Sequence, residues 1–124
     1  MKKILVTILL MLSAFLSQEM YAQKITKDVI DADGIRTVVY VPSSAVCSRV
    51  INIQLKDNVI VEALYTGGCN GNTQGLSALL RGMKVDDAIA KLDGIDCNGR
   101  GTSCPDQLAK ALKMIKASKP QKQE

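Results

Sequence analysis

The chain has no histidine and no tryptophan, and only one phenylalanine and three tyrosines among its 124 residues. Without an imidazole there is no Ser-His-Asp triad, no Cys-His dyad, no three-histidine zinc hydrolase site and no histidine general base. Acid–base or nucleophilic chemistry must run on Cys, Asp, Glu, Lys or Tyr. Four aromatic side chains are too few for a surface on which bases stack, so no nucleic-acid surface is evident. The formal charge of +4 is equally ordinary and leaves the partner, expected to be another protein, unspecified.

Long apolar runs are also scarce. One exists, Ile4 to Leu16, interrupted only by Thr7 and Ser13. Lys2 and Lys3 precede it and the small residue Ala22 follows, so residues 1–22 have the layout of a secretory signal peptide. The run is shorter than the roughly 20 apolar residues that span a bilayer. Cleavage after Ala22 would export the remainder to the periplasm or the medium, with no membrane segment left. An uncleaved anchor is the alternative. The rest divides into a domain over residues 23–117 and a polar tail over residues 118–124.

Within that domain, strand patterns come first. Lys24 to Ala32 alternates loosely and meets Asp33-Gly34, a hairpin signal. Ile35 to Val41 is rich in β-branched residues and is broken by Pro42. Val46 to Leu55 places Ile51, Ile53 and Leu55 on one face and Val50, Asn52 and Gln54 on the other. Lys56-Asp57-Asn58 is a turn, and Val59 to Tyr65 is a further strand.

Helical spacing then takes over. It predicts helices over Thr73–Arg81, Val85–Leu92 and about 104–117, with Gly82 and Gly94 as stops and Ser103 as the cap of the last. Asp86, Asp87 and Asp106 fall in first turns, where the helix dipole favours them. Strands followed by helices predict an α+β fold, an antiparallel meander of three or four strands with three helices packed on one face.

All four cysteines, Cys47, Cys69, Cys97 and Cys104, lie beyond the leader. Cys47 starts a strand, Cys69 and Cys97 sit in glycine-containing loops, and Cys104 opens a helix, where the dipole favours a thiolate. Two disulfides suit an exported protein with an even cysteine count. A four-thiolate metal site, zinc or an iron–sulfur cluster, suits cysteines on loops and helix starts, although no two are two to four residues apart. A redox pair, with Cys97 and Cys104 as candidates, needs only two of them, and there is no CxxC. The loop Gly67-Gly68-Cys69-Asn70-Gly71-Asn72 lacks the Lys and Ser/Thr of a phosphate-binding loop and reads as a tight turn beside a cysteine. Arg49, Arg81 and Arg100 read as solvated surface, as do Lys110, Lys113 and Lys116.

The stretch Val46-Cys47-Ser48, the loop Gly67 to Asn72, the piece Gly94-Ile95-Asp96-Cys97 and the run Thr102-Ser103-Cys104-Pro105-Asp106-Gln107-Leu108-Ala109 together resemble the TSCPD domain, over about residues 36–115. That domain occurs as a small stand-alone protein and as the C-terminal part of adenosylcobalamin-dependent ribonucleotide reductases. The resemblance therefore implies the label ribonucleoside-diphosphate reductase, an oxidoreductase with thioredoxin as acceptor, with nucleotide binding and DNA synthesis attached. A chain of this length is too short to enclose a nucleotide, a radical cofactor and the barrel such a reductase needs. What carries over is a metal-binding or thiol-redox accessory module, with Cys47, Cys69, Cys97 and Cys104 as one metal cluster. The alternative is an exported, disulfide-stabilised binding domain without catalysis. An exported iron–sulfur site would meet oxidants, which favours zinc or disulfides. Mass spectrometry of chain recovered outside the cytoplasm should find a first residue of Gln23; a full-length chain there would mark a retained anchor.

Overall fold

The computed structural model describes residues 3–4 and 23–123; the expected leader, residues 1–22, therefore lies almost wholly outside the described residues. The strands are β1 (Lys24–Ile30), β2 (Arg36–Val41), β3 (Ser48–Lys56), β4 (Val59–Gly67) and β5 (Gln121–Lys122). The helices are α1 (Asn70–Leu80), α2 (Val85–Leu92) and α3 (Cys104–Ala117). The sheet order is β4-β3-β2-β1-β5, antiparallel throughout except where β5 joins β1 in parallel. This is the expected α+β meander with its helices following the strands.

Local chemistry sets each turn. Between β1 and β2, the Asp31 carboxylate accepts hydrogen bonds from the backbone N–H groups of Asp33 and Ile35, both at 2.9 Å. Asp57 and Asn58 both take positive φ, 49° and 63°, as a two-residue hairpin between right-twisted strands requires. Lys56 and Val59 pair directly across it.

Alternation then decides the faces. Ile51, Ile53 and Leu55 of β3 are buried while Val50, Asn52 and Gln54 are half-buried, matching the pattern read from the sequence. Val38 and Tyr40 of β2 and Ile60 and Ala63 of β4 point the same way. They pack against Leu80, Val85, Ala88, Leu108, Leu112 and Ile115 of the helices in one apolar core. At roughly 1.5–3 kcal/mol per large apolar side chain, this burial is the main force holding the helices to the sheet.

A polar network fixes how α3 meets that core. Ser103 caps the helix by accepting from the Asp106 N–H at 3.1 Å, and Pro105 lies in the first turn, where no intrahelical donor is lost. Asp106 is itself buried. One carboxylate oxygen accepts from the Gly94 N–H at 2.7 Å; the other accepts from the Thr102 hydroxyl at 2.6 Å and from the Lys110 ammonium. Gln107 continues the chain. Its amide N–H donates to Thr102 Oγ1 at 2.9 Å, and its carbonyl accepts from the Tyr40 hydroxyl at 2.9 Å and the Ser43 N–H at 3.0 Å. The network thus ties the end of β2, the segment after α2 and the start of α3 together.

The lysines of α3 are more than a solvated face. Lys110 pairs with Asp106, Lys113 with Asp93 at 2.7 Å, and Lys116 with Asp86. The last two are exposed and hold α2 to α3 only weakly. The polar stretch after α3 also turns back to the sheet. Arg36 grips Asp28 with two hydrogen bonds, 2.7 and 2.5 Å, and donates to the Ser118 hydroxyl at 3.0 Å. This guides residues 121–122 alongside β1, where the Gln123 N–H reaches the Ile30 carbonyl at 3.1 Å.

Burial alone would raise the Asp106 pKa, but hydrogen bonds from Lys110, Thr102 and Gly94, with the charge of Lys110, outweigh it and hold the carboxyl below its usual range. A depressed folded value stabilises the fold above the unfolded value of 3.8, and that contribution is lost as pH falls through the folded value. Asp106→Asn should therefore cost about 1–3 kcal/mol at neutral pH and make denaturant-measured stability fall less steeply with acid. An unchanged acid limb would show that the carboxylate is not the titrating latch.

Candidate functional site

The cysteines reach one place from four parts of the chain. β3 begins at Ser48, so Cys47 lies immediately before it; β4 ends at Gly67, opposite Ser48. The chain then turns through Gly67 and Gly68, both at positive φ, +79° and +88°. A Cβ on Gly67 would stand 3.1 Å from the Cys47 carbonyl oxygen, and one on Gly68 would stand 3.2 Å from a Thr73 methyl. Only glycine gives the conformation and the closeness that carry the chain past the Cys47 carbonyl and on to Cys69.

Helix α1 starts three residues earlier than its apolar spacing suggests. Cys69 is its N-cap residue, and Asn70-Gly71-Asn72, expected in the loop, form its first turn. The Cys69 carbonyl accepts from the Thr73 N–H at 2.9 Å and from the Thr73 hydroxyl at 3.2 Å. These bonds hold the helix start where the side chains of Asn and Gly provide no apolar signal.

The loop bearing Cys97 is organised by its neighbour. The Asp96 carboxylate accepts from the N–H groups of Gly99 and Gly101, both at 2.6 Å. Asn98, Gly99 and Gly101 all take positive φ, and the Cys97 N–H closes the loop on the Thr102 carbonyl at 3.1 Å. Cys104 follows the Ser103 cap as the first residue of α3, and its carbonyl accepts from the Tyr65 hydroxyl at 3.2 Å. Burial, then the charge of Cys104, pushes the Tyr65 phenol above its usual range.

Cys47, Cys69, Cys97 and Cys104 line one cavity of about 270 Å³. All four are free thiols; Cys47, Cys69 and Cys97 are exposed and Cys104 is half-buried. The fold brings all four to one cavity. Among the described residues, no three Cys, Asp or Glu side chains are gathered closely enough to hold a metal ion. Two helix starts, those of α1 and α3, deliver Cys69 and Cys104 to the cavity.

Arg100, read from sequence as solvated, also lines this cavity and donates from Nη1 to Cys47 Sγ at 3.5 Å. The bond to Cys47 and the charges of Cys47 and Cys97 raise its pKa, so the guanidinium stays charged. Its signal was positional: it lies between Cys97 and Cys104 in a loop of three positive-φ residues. Arg81 instead pairs with Glu62 at 3.2 Å. Asp96, next to Cys97, and Gln107, three residues after Cys104, are positioning residues that the sequence reading does not single out.

The family model of the TSCPD domain matches residues 26–116. No curated protein and no solved structure matches. Among the described residues, no helix is long and apolar enough to cross a membrane. Because Arg100 is the cation facing Cys47, Arg100→Gln should slow alkylation of Cys47 at neutral pH by about two- to fivefold; an equal rate would show that the contact has no bearing on the sulfur.

Proposed function

The chain belongs to the TSCPD domain family, a domain associated with ribonucleotide reductases, and from that premise we propose that it is an accessory module whose four thiols bind one thiophilic metal ion. One observation carries this reading: four cysteines from separate parts of the chain line a single cavity. A redox pair needs two such residues and leaves the convergence of the other two without a purpose.

By donor type the four thiols suit a thiophilic ion, although as placed no three of them are gathered closely enough to hold one. Four sulfurs and no imidazole suit zinc or an iron–sulfur centre, and zinc is favoured because three of the thiols are exposed to oxidants. Cys47, Cys69, Cys97 and Cys104 would hold it. Their side chains stand on loops and helix starts, outside the apolar core, and the metal reading requires the sulfurs to move together from where they stand. Zinc would supply charge to bind thiolates and no redox chemistry of its own. Arg100 would offset part of the negative charge that four thiolates and one divalent ion leave.

A second reading rests on the exposure of Cys47, Cys69 and Cys97. Two thiols would give two electrons and two protons to a partner's disulfide and become a disulfide themselves. This is the form in which the reductase label would apply to this domain.

Native mass spectrometry of protein purified without chelator should show one metal per chain, and Cys104→Ser should lose it. A fully folded, metal-free chain with four titratable thiols overturns the metal reading. A mass gain of about 2 Da per bridge on reduction would favour the redox reading instead.

A further inference from the structure

Resting on the thiol-redox reading, we infer that the four-thiol cavity takes a small disulfide flanked by carboxylates, and that Cys47 is the sulfur that attacks it. The thiols are free to react: none is bridged, and among the described residues no three are gathered closely enough to hold an ion. Of the four, Cys47 has a cation at its sulfur. Arg100 donates from Nη1 to Cys47 Sγ at 3.5 Å, and Cys47 is exposed to an incoming ligand.

The charge around that sulfur suits an acidic ligand. A guanidinium carries five N–H donors in a planar fork, so the contact with Cys47 leaves others for a carboxylate. Helix α1 begins at the same cavity, with Cys69 as its cap and Asn72 in its first turn. That turn holds no acidic residue and the cap makes no side-chain hydrogen bond, so the positive end of α1 is not answered from within the helix. Asp96, the acid of the lining, has both carboxylate oxygens bound by the N–H groups of Gly99 and Gly101, each at 2.6 Å. Val46, Ile95 and Pro105 add an apolar wall for a methylene stem. The cavity of about 270 Å³ is small, with room for one half of such a disulfide.

The exchange balances without a further reactant. The Cys47 sulfur, as thiolate, attacks one sulfur of the disulfide. The S–S bond of the ligand breaks as the bond from Cys47 forms. The distal half leaves as a thiolate with the electron pair of the broken bond, and it takes one proton from water in place of the one that Cys47 gave up. Cys47 ends oxidised in a mixed disulfide, and the released half ends reduced. Arg100 stands at the sulfur that carries the negative charge before attack. Its remaining donors hold the carboxylate of the half that stays.

The test uses the full chain, reduced and then freed of reductant, with oxidised glutathione as the acidic probe and cystamine as its cationic counterpart. Each rate is divided by that of mercaptoethanol with the same probe, which removes the probe's own reactivity. Intact mass and peptide mapping should place the first adduct on Cys47, and the normalised rate should favour oxidised glutathione by about fivefold or more. Arg100→Gln should bring that ratio near one, beyond its effect on alkylation by neutral iodoacetamide, and Arg100→Lys should restore part of it. A first adduct on Cys69, Cys97 or Cys104, or a wild-type ratio near one, overturns the inference and leaves the redox reading in place. A chain whose four titratable thiols form no adduct with either probe overturns the redox reading and the inference together.

Discussion

The carboxylate of Asp106 is the constraint on which the geometry of the cysteine end depends. It is buried, and a buried carboxylate is tolerable only when donors surround it. Its donors come from Gly94 at the exit of α2, Thr102 at the approach to α3 and Lys110 one turn along that helix. Satisfying them fixes where α2 ends relative to where α3 begins. The loop between those points is the one that carries Cys97 and Arg100, so its two ends are pinned before its own conformation is decided. The Thr-Ser-Cys-Pro-Asp run is in this sense a mechanical unit: Thr and Asp clamp, Ser caps, Cys opens the helix, Pro sits in its first turn, and Ser, Cys and Pro all line the cavity.

Much of the fold was legible because strand and helix periods differ and the turns carry their own chemistry. Val46 to Leu55 could be divided into two faces by alternation alone, and the structure buries the face so assigned. Ser103 and Gly94 marked helix limits correctly for the same local reason. The start of α1 was hidden because Asn70, Gly71 and Asn72 have no apolar period, and only the bonds from Thr73 to Cys69 reveal it. Strand β5 was hidden because two residues without a pattern join the sheet through a tertiary contact, the Arg36–Asp28–Ser118 cluster.

The site was legible in its members and not in its arrangement. Four cysteines in separate blocks suggested one metal cluster; all four line one cavity, and among the described residues no three are gathered closely enough to hold an ion. Nothing in their spacing showed how far apart the sulfurs stand, since side-chain rotation decides that. Arg100 looked like any surface arginine. Its contact with Cys47 spans 53 positions and depends on the Asp96-centred loop, a relation that no local reading contains.

The strand register gives the domain a front and a back. Lys24 pairs with Val41, so the polypeptide enters the sheet at the same end where Cys47 and Cys69 leave it. The C-terminal strand joins β1 at Val29 and Ile30, at the opposite end. A domain tethered to a surface through its N-terminal side would hold its thiols towards that surface, whereas attachment through the C-terminal side would present them outward. The choice of which terminus to immobilise, label or fuse is therefore also a choice of which way the cavity looks.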